Sequence, residues 1–389
     1  MSKHKAKRVS NYELFFDLAV VLAIGQLTSA IHVAHVGINE IISFLAGCVI
    51  ILNIWNNEAF YYNKYGDSRR ADIYSVIVLM LWVGNLALAF NFDISYLREN
   101  PANVQIFNTM LILCYGTIAV QYYLKGRALG FTPDIKTNMV LQIIYLIPLI
   151  PVATGLWNYS YFVIIFYFVP LFLPQLLRLP FINNYHGRTY INFPHAVERN
   201  QLLTILTFGE SVIGIIRTYP LTEYHIEGIV FFLGMATLFI FYMTQTFINI
   251  NHHQKASVTR LFYSHALIII GLLFFTVGLE FLADHHHHDL GALFFIGSVF
   301  TFYIGVLSTS AYNQEIYKPN RSILRKYSIT LILGILAIYF LRDQLSLMGV
   351  CLVIMNYIMM RLGLNFRRQQ REKHNVPHPD PRKNLRDFS

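Results

Sequence analysis

Charged residues are scarce in this chain: 13% of its 389 residues are Asp, Glu, Lys or Arg. A soluble globular domain carries about 25%. With 55% hydrophobic residues and a mean hydropathy of +0.46, so little charge cannot clothe a water-facing surface, and the solvent over most of the length is expected to be lipid. Cysteine is nearly absent too. Cys48, Cys114 and Cys351 each sit alone in an apolar run, which excludes a disulfide framework and a thiolate metal site. The chain lacks the P-loop, G-x-S-x-G, H-E-x-x-H and G-x-G-x-x-G patterns that announce phosphate binding, nucleophilic catalysis, zinc catalysis or dinucleotides, so no cofactor is expected. The basic lead Met1–Ser10 precedes a run as long as a spanning helix that holds Glu13 and Asp17; it reads as a retained first helix rather than a cleaved signal.

What is present is a series of apolar runs. A bilayer-spanning helix needs roughly 20 such residues. Twelve runs qualify, at about 12–33, 39–63, 72–93, 102–124, 138–157, 160–177, 195–217, 223–249, 260–283, 289–310, 325–342 and 344–363. The fold expected is therefore an all-α integral membrane protein of about twelve transmembrane helices. The net charge of +9 does not point to nucleic acid. Lys and Arg gather in alternate loops and the tails, whereas the opposite loops hold only Arg98, Arg217 and Arg342. By the positive-inside rule both termini face the cytoplasm, and the expected location is the plasma membrane. The expected layout is a basic lead (1–11), a first six-helix half (12–177), a cytoplasmic connector (178–194), a second half (195–363) and a basic, disordered tail (364–389). The halves read as parallel repeats, because ELFFDLAVVLAIGQL and ERNQLLTILTFGESV both open on Glu and carry Gly followed by a polar residue near the far end.

Ionisable groups inside spans are costly and usually face a cavity or a partner. Glu13 and Asp17 stand four apart on the first run, hence on one face. His195, Glu198 and Arg199 form a similar face on the seventh. Glu58 lies on the second run and His265 on the ninth. For Glu13 and Glu58 an interfacial position stays open. Asp17, Glu198, Arg199 and His265 are expected to share a buried network, with Arg199 pairing Glu198, Asp17 or Glu210. Glu210 follows Arg199 by eleven residues, nearly three whole turns, so the two point the same way. Glu280 repeats that layout fifteen residues after His265. The run His285, His286, His287 and His288 offers loose metal affinity, not an ordered site.

Two stretches, Val9–Leu27 with ELFFDL and His195–Ile215 with H-x-x-E-R followed by G-E-S, resemble the bacterial low temperature requirement A (LtrA) family, and Arg260–Glu280 resembles the family's His and V-G-L-E segment. Thr207-Phe208 before Gly209 departs from the smaller pair many members have. The resemblance implies a multipass bacterial membrane protein of unassigned chemistry, and its motif positions map to Glu13, Asp17, His195, Glu198, Arg199, Gly209, Glu210 and His265. The function expected is proton-coupled secondary transport of a small solute. An ion channel and a membrane-embedded enzyme acting on lipid headgroups are the alternatives. Expected partners are the lipid bilayer and a small solute or ion. A homo-oligomer is compatible with the sequence, which does not fix oligomeric state.

Overall fold

The computed structural model describes residues 7–67, 69–176, 180–189 and 191–377. Among them every extended element is helical, and the one β-bridge joins Ile250 and Asn313. The spans are α1 Asn11–Ala30, α2 Ile38–Tyr65, α3 Arg70–Leu88, α4 Pro101–Leu129, α5 Pro133–Ala153, α6 Tyr161–Leu176, α7 Phe193–Thr218, α8 Glu227–Met243, α9 Thr259–Ala283, α10 His288–Ser308, α11 Arg321–Phe340 and α12 Leu345–Lys373.

Eleven are long and apolar enough to cross a membrane. The exception is α6, whose 16 residues hold Pro170 and Pro174. Residues 177–179, directly after it, lie outside the described residues. A correction concerns the tail. Helix α12 runs on to Lys373, past the expected end at 363, because Arg, Gln, Glu and Lys are good helix formers and Arg368 pairs with Glu372 one turn on, at 3.1 Å. Residues 378–389 lie outside the described residues.

The chain divides into two compact units, Met1–Ser211 with His252–Val277, and Val212–Asn251 with Gly278–Ser389. This division differs from the sequence halves 12–177 and 195–363. In the first unit α1 packs on α2 and α3, α3 on α4, α4 on α5, and α2 on α6. Helix α2 is an interior helix, as is α9, each with two thirds of its apolar window buried. Helix α2 also carries the polar run Asn53, Trp55, Asn57, Glu58, Tyr61, Tyr62 and Asn63, all buried. In the second unit α12 packs on α8 and α11, and α8 ends in a π-turn at Thr244–Asn249.

Candidate functional site

Helix α1 begins with a capping box. The Ser10 side chain accepts from the Glu13 amide, and Glu13 Oε2 accepts from the Ser10 amide and hydroxyl, each at 2.8 Å. This reciprocal pairing satisfies two amides that have no helical partner. It also fixes the Glu13 carboxylate, so that Oε1 lies 3.1 Å from His195 Nε2 and 3.3 Å from Arg199 Nη1. One turn further, Asp17 Oδ1 accepts from Arg199 Nη2 and from Trp55 Nε1, both at 2.7 Å. The guanidinium carbon stands 5.7 Å from the Trp55 ring, within cation–π range. Thus an i, i+4 acidic pair on α1 meets an i, i+4 basic pair on α7. Glu13, Asp17, His195 and Arg199 are each no more than 1% exposed.

Asn63 sets the histidine tautomer. Its Oδ1 accepts from the Asn192 backbone N–H and its Nδ2 donates to the Asn192 carbonyl, both at 2.9 Å. Those backbone partners fix the amide orientation, so it is Nδ2 that meets His195 Nδ1 at 3.0 Å. An amide N–H there requires Nδ1 to accept, which leaves the ring proton on Nε2, facing Glu13.

The cluster is not saturated. Asp17 Oδ2, Glu58 Oε2 and Arg199 Nε are buried without a hydrogen-bond partner among the described residues. Glu58 Oε1 accepts from Gln121 Nε2 at 3.0 Å, and that amide also donates to Ser75. Buried polar atoms are nearly always paired, so these orphans set the cluster apart from an ordinary structural one.

Other sequence candidates fall differently. Arg199 pairs with Asp17 and Glu13; Glu198, expected in the same network, is exposed, because α1 covers only the stripe that holds residues 195 and 199. Glu210 is half-buried, and its carboxylate lies against Gly25 of α1: a Cβ built on Gly25 would stand 2.6 Å from Glu210 Oε1. Arg199 and Glu210 thus both face α1. His265 is buried on α9 and donates from Nδ1 to the Leu261 carbonyl at 2.8 Å. Glu280 belongs to the second unit and is half-buried. In the histidine run, His287 Nδ1 meets Asp284 Oδ2 at 2.7 Å. Among the described residues no three His, Cys, Asp or Glu side chains group as metal ligands.

Sequence reasoning missed Trp55 and Asn63, and it placed Lys125 in a loop. Lys125 is buried in α4, which runs on to Leu129. Its Nζ lies 3.3 Å from Asp72 Oδ2, and Asp72 Oδ1 also accepts from Tyr61 at 2.6 Å. The available signal was the Asn-Ile-Trp-Asn-Asn-Glu stretch inside an apolar helix, which marks α2 as interior.

The model of the bacterial low temperature requirement A (LtrA) family matches residues 8–360. The chain belongs to the LtrA family. No curated protein matches it. The LtrA match takes in every residue of the α1–α7 cluster, together with Trp55 and Asn63 that complete it.

The same unit holds a partly open cavity of about 260 Å³ whose lining includes Asn53, Phe60, Tyr185, Phe262 and Tyr263. No charged side chain lines it among the described residues. Phe262 stands 4.5 Å from Phe60 and 5.7 Å from Trp55 between ring centres. Trp55 therefore touches the ion cluster through its indole N–H and the cavity wall through its ring.

Proposed function

We propose that this LtrA-family protein is a proton-coupled secondary transporter of a small, uncharged or weakly polar solute. The observation that supports it most is the incomplete buried cluster beside an uncharged cavity. Two carboxylates, Glu13 and Asp17, face one guanidinium, so a single proton cancels the net charge of that set. Asp17 is the proton site in this reading, Arg199 the counter-charge, and His195 a fixed donor to Glu13. Glu210 and His265 are further proton-handling groups on α7 and α9. A proton on Asp17 weakens its hold on Arg199 and Trp55. Trp55 then shifts against Phe262, which alters the cavity wall and couples proton to solute. Differential proton affinity of the two arrangements is what such coupling requires. In this reading the protein sits in the plasma membrane with both termini in the cytoplasm, which the loop charges support, and the cluster lies in its cytoplasmic half.

The test is uptake by proteoliposomes containing pyranine, screened with a solute library. Solute-dependent internal acidification that Asp17→Asn abolishes is the expected result. Unitary currents in planar bilayers with no solute-linked proton movement would overturn the reading in favour of a channel.

A further inference from the structure

The second unit holds its own cavity, of about 230 Å³, at the Arg-rich end of α12. That is smaller than the roughly 300–1,000 Å³ of sites for drug-sized ligands, and suits a headgroup or a small metabolite. Its charge is one-sided. Arg361 and Arg367 line it, and no carboxylate does so among the described residues. Lys318 pairs with Glu315 and Arg368 with Glu372; Arg361 and Arg367 have no such partner among the described residues. Three tyrosines, Tyr317, Tyr327 and Tyr357, share the lining. The Tyr317 hydroxyl accepts from Arg371 Nε at 2.6 Å, which leaves its own proton to donate.

Gly363 provides the room. A Cβ there would stand 2.8 Å from Tyr327 Oη and 3.7 Å from Arg367 Nη1, so two donors converge on space that only glycine leaves open. On another wall the π-turn places Gln245 and Asn249 inward. Gln245 donates to Asn313 Oδ1 at 2.7 Å, and Asn249 donates to Gln245 at 2.8 Å. Asn249, 9% exposed, keeps a buried Oδ1 with no hydrogen-bond partner among the described residues. π-turns recur at functional sites. Guanidinium and phenol donors suit phosphate oxygens, and the orphan amide oxygen suits a hydroxyl donor.

We propose that this cavity binds a phosphate ester that also carries a free hydroxyl, as in glycerophosphate chemistry. The phosphate sits on Arg361, Arg367 and the tyrosines, and the hydroxyl donates to Asn249. Two sources share this chemistry: the headgroup of an anionic lipid, and a free glycerol phosphate. Ile240, Tyr357 and Leu364 on the lining are each about half exposed, so a lipid could reach the site from the side.

The experiment uses the full chain in nanodiscs of phosphatidylglycerol and phosphatidylcholine. Native mass spectrometry counts the lipid retained, with and without sn-glycerol 3-phosphate or inorganic phosphate. Phosphatidylglycerol should be retained over phosphatidylcholine, and Arg361→Gln or Arg367→Gln should lower retention about five-fold each. Gly363→Ala should lower it without removing charge, which separates site loss from misfolding. Lipid retained in the presence of glycerol phosphate assigns the lipid; displacement by glycerol phosphate, but not by inorganic phosphate, assigns the free ester. Equal loss in Arg368→Gln, which lies off the cavity, would reduce the effect to general surface charge and overturn the proposal, as would full retention in both arginine variants.

Discussion

The Asp17 and Asp72 clusters lie in the same unit, centre on carboxylates that are each no more than 1% exposed, and use the same parts: a carboxylate, a cation and an aromatic donor. One is complete and the other is not. Asp72 receives Tyr61 on one oxygen and Lys125 and the Asp67 amide on the other, and the Tyr62 hydroxyl donates to its backbone carbonyl. Asp17 has both donors on Oδ1 and leaves Oδ2 unmet. A saturated buried pair fixes geometry. An unsaturated one stores an unmet demand, and buried ion pairs add little net stability to repay it. The difference separates a clamp between α2, α3 and α4 from the cluster proposed to change its protonation.

The largest expected effect is that of Arg199→Gln, which leaves Glu13 and Asp17 buried without a cation. A loss of about 3–5 kcal/mol is expected, read as collapse of the folded peak in fluorescence-detected gel filtration; adding Asp17→Asn should recover part of it. Next comes the direct contrast. Asp72→Asn takes from Lys125 the nearer of its two carboxylates, leaving Asp67 Oδ1 at 3.6 Å, and should cost about 1–2 kcal/mol, seen as an earlier thermal melt with the pH profile of solute-linked flux unchanged. Asp17→Asn leaves Glu13 and Arg199 as a balanced pair, so it should cost under about 1 kcal/mol while flattening that profile. The reverse pattern would erase the distinction between clamp and site.

A third measurement tests the rest of the clamp region. His186, in the connector ahead of α7, lies with Nδ1 3.1 Å from Tyr122 Oη and Nε2 3.5 Å from Asp134. Burial lowers its pKa below the ordinary 6.5, with Asp134 opposing. Protons then bind the unfolded chain first as pH falls. The stability present above pH 6.5 is therefore lost on the way down to the lowered folded value, by at most about 1.4 kcal/mol per pH unit. His186→Gln should flatten the melting temperature between pH 7.5 and 5. The smallest effect on stability is that of Gly25→Ala. The added methyl would crowd only the far end of the Glu210 side chain, and alanine favours the helix by up to about 1 kcal/mol. Melting should hardly move, while the pH midpoint of flux shifts if Glu210 handles protons.

Span number was legible because twenty apolar residues have few other homes. Arg199 stood out as a cation inside a span, near its start, and its partners on α1 were half legible: Asp17 was among those named, Glu13 was not. Lys125 escaped because its helix continues beyond the apolar stretch, where a lysine reads as loop. Glu198 misled because i+3 and i+4 count as one face only when the covering helix is broad. The Asn-Ile-Trp-Asn-Asn-Glu stretch could mark α2 as interior but not what Trp55 and Asn63 do there, because their roles arise from partners remote in the chain.

That remoteness has a consequence for biogenesis. Asp17 and Arg199 are separated by 182 residues. At about 5–20 residues per second, α1 and its two carboxylates wait roughly ten to forty seconds for their cation to be synthesised. Asn53 on α2 likewise waits for the Pro170 carbonyl, 117 residues later. The nascent first helices must be sheltered through that interval, by the insertion machinery or by the capping turn at Ser10, so the cluster proposed as the proton site makes the earliest helix the one most dependent on help.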